Sequence, residues 1–140
     1  MLVITKDGFL NLSGVSVIGP NLLETLFLSS RLSSSARFDS GNDGWTRYSG
    51  RGFLDNDQEC SFTLFFYNGV LKRISWRPLW PGAPTAWKNW TEEKELKVNE
   101  LNNQLLLRVL GPPPYEYEWG QISSSYDPRS GSSNIYVVYY

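Results

Sequence analysis

The sequence predicts an α+β fold in which two helices pack on an antiparallel sheet of five to seven strands. Three patterns indicate this fold. An Asn-Gly turn between two β-branched and aromatic runs predicts a hairpin over residues 60–76. Apolar residues spaced by three and four positions predict a helix over residues 90–110. An aromatic C-terminal segment around a Pro- and Gly-containing turn predicts a second hairpin over residues 117–139.

The N-terminal part is predicted to hold two short strands, a helix and a turn-rich segment. An Asp-Gly dipeptide within residues 2–12 predicts two strands around a turn. Pro20 precedes apolar residues at helical spacing, which predicts a helix over residues 20–31. Gly, Asp and Asn are frequent in residues 39–56, which predicts mostly turns with one short strand at residues 45–49.

The first strand of the central hairpin carries apolar side chains on both of its faces, which predicts a strand at the centre of the sheet or one covered on both sides. In the second strand, strict alternation places Ile74 and Trp76 on one face. The same alternation places Leu71 on the other face together with Arg73 and Arg77.

The second helix has recognisable start and stop signals. Asn89 is predicted to cap it, because Glu92 follows three positions later and acidic residues favour the helix N-terminus. Gly111 is predicted to end it, since the prolines that follow cannot continue a helix. Its predicted apolar stripe contains Val98, Leu101, Leu105, Leu106, Val109 and Leu110.

The length of 140 residues predicts one domain over residues 1–140. Residues 20–77 and 89–140 each read as a helix followed by strands, with a Trp in between. This weak internal similarity is explained equally well by a duplication and by chance, because hairpins in general share similar strand and turn residues.

The composition predicts binding rather than catalysis. The chain has no histidine and a single cysteine, Cys60, so it lacks the usual general base, the Ser-His and Cys-His dyads and the ligands of a structural zinc site. No glycine-rich phosphate loop or dinucleotide-binding motif is present. We therefore expect no catalytic residue, no metal and no cofactor, although a carboxylate site at Asp55, Asp57 and Glu59 stays open as a minor alternative.

The candidate partner-binding site lies in a segment rich in Trp and basic residues. Residues 73–90 contain four of the six tryptophans, and residues 72–88 carry four positive charges and no negative one. Trp and Arg are enriched at binding hot spots, because they desolvate a large area and keep a polar group. The predicted site residues are Arg73, Arg77, Trp80, Trp87 and Lys88. The alternative is that the tryptophans cover the sheet and the second helix.

Two stretches, NWTEEKEL at residues 89–96 leading to the Leu-Gly end of the helix, and WGQISSSYDPRSG at residues 119–131, give the chain a general similarity to small stand-alone bacterial immunity proteins. This resemblance is one of type, and it implies a small cytoplasmic α+β protein that neutralises a toxin by binding it. The expected partner is therefore a protein, held over about 800 Å² per side.

Two alternatives remain from the sequence. Trp80 and Trp87 are suited to a stacking platform for a carbohydrate or another small ligand. The basic aromatic segment has residue types that bind single-stranded nucleic acid, although the net charge of -1 disfavours nucleic acid as a partner. The sequence also lacks the features of a signal peptide and of a membrane span, so we expect a cytoplasmic location and no membrane partner.

Overall fold

The computed structural model describes residues 3–12, 16–84 and 87–140. Its elements in chain order are β1 (Leu10–Leu12), β2 (Ser16–Ile18), α1 (Glu24–Leu28), β3 (Ala36–Asn42), β4 (Trp45–Phe53), β5 (Glu59–Tyr67), β6 (Val70–Pro78), α2 (Glu92–Leu110), β7 (Tyr115–Tyr117), β8 (Gly120–Asp127) and β9 (Ser132–Tyr139). Seven strands form one antiparallel sheet in the order β3, β4, β5, β6, β9, β8, β7. Strands β1 and β2 pair separately. The predicted α+β fold is confirmed.

The predicted central hairpin is confirmed as β5 and β6, joined at Asn68 and Gly69 with φ values of 48° and 83°. One detail of the prediction is wrong. The register shifts between Phe65 and Phe66, because β6 carries an extra residue at this point. Leu71 is therefore buried with Ile74 and Trp76, whereas strict alternation predicts it on the face of Arg73.

The prediction of mostly turns over residues 39–56 is wrong. The chain forms the long strands β3 and β4, and only Asp43 and Gly44 turn between them, with φ values of 53° and 87°. Each residue of β4 pairs with one on β5, and most pair with β3 as well. Pairing on both sides outweighs the low strand propensity of glycine, aspartate and asparagine.

The first helix is shorter than predicted. It spans only Glu24–Leu28, and a 3-10 helix follows at Arg31–Ser35. Serine hydroxyls of this segment donate hydrogen bonds to backbone carbonyls three residues earlier, as Ser30 does to Phe27. Such bonds compete with the helical pattern and end the helix early.

The second helix matches its predicted extent, but its cap is Thr91 rather than Asn89. The Thr91 hydroxyl accepts a hydrogen bond of 3.1 Å from the backbone N–H of Lys94. Gly111 ends the helix with a φ of 84°, as predicted. At the N-terminus, Leu2 of the first predicted strand lies outside the described residues, and a turn links Thr5 to Phe9.

Both helices pack on the same face of the sheet. Phe27 of α1 contacts the rings of Tyr48 and Phe66. The C-terminal half of α2, through Leu105, Leu106 and Leu110, joins the same core as Ile135 and Val137 of β9. Strand β5 has neighbours on both sides in the sheet, which agrees with the first predicted alternative, a strand at the centre of the sheet. The other alternative, cover on both faces, is wrong, because alternate residues of β5 remain partly exposed on the side away from the helices.

Candidate functional site

The face of the sheet opposite the helices is the candidate functional site, and we call it the open face. Side chains alternate between the two faces of each strand, so the sequence of β4, β5 and β6 determines what the open face presents. Its central positions are arginines, small hydroxyl residues and one aromatic ring, namely Arg47, Ser49, Thr63, Phe65, Arg73 and Ser75. The open face is therefore polar and basic at its centre.

One group of side chains on the open face alternates guanidinium groups with aromatic rings, and we call it the arginine–aromatic row. The Cζ atom of Arg73 lies 5.4 Å from the ring centroid of Phe65 and 4.8 Å from that of Tyr136. Arg47 lies 6.0 Å from the same Phe65 centroid. Cation–π contact holds these side chains in place and leaves the guanidinium edges able to donate hydrogen bonds.

Beside this row lies a depression of about 750 Å³. Arg37 of β3 and Arg51 of β4 line it, and its floor is built from small polar residues, including Ser49, Ser61, Thr63, Ser75 and Asn134. We call it the hydroxyl depression. It exists because short side chains occupy the middle of the sheet while longer side chains stand around them.

The arginines of the open face are only partly neutralised. Arg47 pairs with Asp39 at 3.1 Å, and Arg51 pairs with Glu59 at 3.5 Å. Arg37 and Arg73 form no ion pair with any of the described residues. On the part of the open face formed by β3 to β6, four arginines, Arg37, Arg47, Arg51 and Arg73, therefore stand with two carboxylates, Asp39 and Glu59, a local excess of positive charge in a chain whose net charge is -1.

The predicted site residues Arg73 and Arg77 have different environments. Arg73 lies in the arginine–aromatic row on the open face. Arg77 is only 14% exposed, and its Nη1 atom lies 2.8 Å from a carboxylate oxygen of Glu95 on α2. Because this guanidinium is committed to an internal ion pair, it is not available to a partner in the folded chain.

The predicted loop residues are also separated by their environments. Trp80 is half-buried against the core, and its indole N–H donates a 2.8 Å hydrogen bond to the side chain of Asn102. Trp87 is 76% exposed and contacts Trp90, with 5.7 Å between the ring centroids. Lys88 is exposed beside it in a short 3-10 helix, Trp87–Asn89. The five predicted residues therefore do not form one continuous surface.

Sequence reasoning missed Arg37, Arg47 and Arg51. Arg37 lies on β3, for which no strand was predicted, Arg47 lies on the short strand predicted at residues 45–49, and Arg51 lies where turns were predicted. A signal was available, because Arg47, Ser49 and Arg51 alternate with Tyr48 in a way that is typical of a strand with one polar face. The prediction ended this strand at residue 49 because of the glycines that follow, and it did not consider the polar face of the strand as a site.

The side chains of the open face can form hydrogen bonds and ion pairs with a ligand. The described residues contain no group of three or more acidic or cysteine side chains placed to hold a metal ion. The only cysteine, Cys60, is buried under the sheet, and burial raises the pKa of its thiol to about 12. A thiol with so high a pKa is a poor nucleophile near neutral pH.

Comparison with known proteins adds no relative to this description. No protein-family model, no curated protein and no solved structure matches the chain. Within the part of the chain that the structure describes, no helix combines the length and the apolar character needed to cross a membrane.

Proposed function

We propose that this chain is a non-enzymatic protein-binding module that holds an acidic surface of a partner protein against its open face. The observation that carries the proposal is the arginine–aromatic row. Its guanidinium groups are fixed by neighbouring rings, and Arg73 has no carboxylate partner among the described residues. Preordered guanidinium groups bind carboxylates with little loss of side-chain entropy.

The size of the open face supports a protein partner. The seven strands contain 53 residues, and at about 3.3 Å per residue and about 4.8 Å between strands they give a face of roughly 800 Å². A stable protein interface of standard size covers about 800 Å² on each partner. The excess positive charge would speed association with an acidic partner and would disfavour basic ones.

The same geometry disfavours base stacking, which single-stranded nucleic acid needs. The rings of Phe65 and Tyr136 are both contacted by the guanidinium of Arg73, so a base would have to displace that group before it could stack. Arg47 and Arg51 are already paired with Asp39 and Glu59, so the open face lacks the continuous row of unpaired cations that a nucleic-acid backbone needs. A platform of Trp80 and Trp87 for carbohydrate is disfavoured too, because Trp80 packs against the core and its indole N–H is already bonded to Asn102.

Within protein binding, the specific role that we propose is neutralisation of a toxin, in the manner of a bacterial immunity protein acting in the cytoplasm. The support is the resemblance of type in the sequence, together with the absence of histidine, which leaves surface complementarity as the means of action. Such a protein acts by occlusion, so it requires one well-ordered acid-binding face and no catalytic group.

The test uses the product of the gene next to the one that encodes this chain as the probe. Binding is measured by calorimetry at low and at moderate salt for the wild type and for Arg47→Glu/Arg73→Glu. We expect the variant to lose at least about 100-fold in affinity, since close interfacial charge pairs are each worth about 1.5 kcal/mol or more. We also expect wild-type affinity to fall as salt rises.

The matched control is Lys97→Glu/Arg108→Glu, which reverses two exposed charges on α2, on the other side of the sheet. It should bind within about twofold of the wild type, because screening at this distance is strong. Equal loss in both variants, or no loss in the open-face variant while its circular dichroism stays native, would refute the proposed role of the open face.

A further inference from the structure

The residues at the centre of the open face are unusually small for a β-sheet. Ser49, Thr63 and Ser75 lie side by side on three adjacent strands, as the pairing of Ser49 with Thr63 and of Thr63 with Ser75 shows. Central strands favour β-branched and aromatic side chains, and serine is poorly suited to them. Short side chains here leave a recess where larger ones would give a filled and more stable surface.

Several polar groups of the recess are not used by the fold. Ser49 and Thr63 are already used, because their hydroxyls lie 3.1 Å apart and the Ser49 hydroxyl is also 3.2 Å from a carboxylate oxygen of Asp39. The hydroxyls of Ser61 and Ser75 make no hydrogen bond with any described residue, although both side chains are half-buried. Arg37 is likewise without an ion pair within the described part of the chain. These groups are therefore free to donate hydrogen bonds to a ligand.

We infer that the hydroxyl depression is a binding site for a small phosphate ester that carries hydroxyl groups, the chemistry of a sugar phosphate. Arg37 lines the depression without an ion pair among the described residues and suits the phosphate, because the planar guanidinium group matches phosphate oxygens with two hydrogen bonds. Arg51 also lines the depression, and its pair with Glu59 is exposed to solvent. The serine and threonine hydroxyls both donate and accept, so they complement the hydroxyls of the ligand. The volume of about 750 Å³ is within the range of small-molecule sites.

The lining also selects against other ligands. The floor of the depression offers hydroxyl and amide groups, and the large apolar surface that a hydrophobic ligand needs is on the helix side of the sheet. A neutral sugar would lack a partner for Arg37 and would find no free aromatic ring to stack on. A phosphate without hydroxyls would leave Ser61 and Ser75 unused.

This site does not depend on the proposed protein partner, and it is tested on the isolated chain. The probe is glucose 6-phosphate, titrated into the full chain by calorimetry and followed by amide chemical shifts, with glucose and inorganic phosphate as separate titrants. We expect glucose 6-phosphate to bind at least about tenfold more tightly than either fragment. The shifted amides should map to Arg37, Ser49, Ser61 and Ser75.

Two variants and a control test the assignment. Arg37→Ala should weaken binding at least about tenfold through loss of the phosphate contact. Ser75→Val removes one hydroxyl and raises strand propensity, so the sheet should stay folded while binding weakens about fivefold or more. Arg108→Ala, on the outer surface of α2, should leave the affinity unchanged.

Specific outcomes would overturn the inference. One is the absence of binding at about 10 mM probe, since specific small-molecule sites are far tighter. Another is equal affinity for inorganic phosphate and glucose 6-phosphate, which would indicate an adventitious anion only. A third is tighter, Arg37-dependent binding of a single-stranded oligonucleotide, which would make the depression part of a nucleic-acid site. Unchanged binding in both Arg37→Ala and Ser75→Val would place the ligand elsewhere.

Discussion

Arg77 and Glu95 form a buried ion pair that fastens α2 to the sheet, with 2.8 Å between Nη1 and Oε1. The side chains are 14% and 2% exposed. The same carboxylate oxygen accepts a 2.9 Å hydrogen bond from the backbone N–H of Ser133, and the Ser133 hydroxyl donates to the backbone carbonyl of Glu95 at 2.6 Å. Strand β6, strand β9 and helix α2 therefore meet at one carboxylate.

Replacing Glu95 with Ala should lower the free energy of unfolding by about 3 to 5 kcal/mol, because it leaves the Arg77 charge buried without its partner. Urea unfolding measures the effect. The control is Glu100→Ala, which removes the exposed pair with Lys97 and should cost less than about 1 kcal/mol. A double variant Arg77→Met/Glu95→Leu should be more stable than Glu95→Ala alone. Similar costs for Glu95→Ala and Glu100→Ala would contradict this account.

Trp80 and Trp87 should respond differently to the same substitution. Trp80→Phe leaves the fully buried Asn102 side chain without its 2.8 Å hydrogen bond, which should cost about 2 kcal/mol. Trp87→Phe changes an exposed ring and should alter stability by less than about 0.5 kcal/mol. Thermal unfolding of both variants is the measurement. An equal change in the two melting temperatures would contradict the difference in burial and hydrogen bonding between the two rings.

The sequence predicted the elements whose local patterns are strong. The hairpin of β5 and β6, the C-terminal hairpin and α2 each carry a turn or helix signal within their own residues. The short strand predicted at residues 45–49 is confirmed as part of β4, but β3 and the rest of β4 were missed because their frequent glycines and polar residues are typical of turns. Strand β4 is stabilised by pairing along its whole length with β5, as in the pairing of Arg47 with Phe65, which local sequence does not reveal. The bulge beside Leu71 was missed as well, since one extra residue in a strand leaves no local trace but reverses a side chain.

The site was predicted only in part for a related reason. Alternation correctly separated Arg73 from Ile74 and implied the same environment for Arg77. The pairing of β6 with β9 ends at Trp76, so the next residue is no longer confined between two neighbouring strands. Arg77 is therefore free to reach Glu95, a residue 18 positions away whose proximity only the tertiary structure reveals.

Burial of ionisable groups predicts a loss of stability at alkaline pH. Burial raises the pKa of Cys60 from 9.0 to about 12, and burial, together with the neighbouring Glu24 carboxylate, raises the pKa of Tyr48 from 10.0 to about 12. At a pH between the ordinary pKa of each group and its raised pKa in the folded chain, the unfolded chain has released a proton that the folded chain retains. The free energy of unfolding should therefore be constant below about pH 9 and should fall as pH rises toward about 12.

This loss is measured by urea unfolding at several pH values. The variant Cys60→Val lacks one of the groups whose pKa is raised and should show a shallower decline, by up to about 1.4 kcal/mol per pH unit. The folded thiol should also resist a disulfide reagent at about pH 8 and react once guanidinium unfolds the chain. Rapid reaction of the folded protein would show that Cys60 is accessible.

Substituting Gly69 and Gly120 with alanine should reveal two different costs, backbone strain at Gly69 and a steric clash at Gly120. Both have positive φ, 83° at Gly69 and 156° at Gly120. A Cβ atom at Gly69 would meet nothing within 4 Å, so Gly69→Ala should cost about 1 kcal/mol, the penalty for a left-handed alanine. A Cβ atom at Gly120 would lie 1.9 Å from the backbone oxygen of Val138, so Gly120→Ala must force β8 away from β9.

We therefore expect Gly120→Ala to destabilise the fold by about 3 kcal/mol or more, and to broaden or shift amide signals of both strands. Gly69→Ala should shift only the signals of its own turn. Both are read from urea unfolding and a two-dimensional amide spectrum. The close approach at Gly120 depends on the pairing of Gly120 with Tyr139, which joins β8 to β9. A cost at Gly120 no larger than that at Gly69 would therefore mean that these two strands are spaced more widely than their pairing implies.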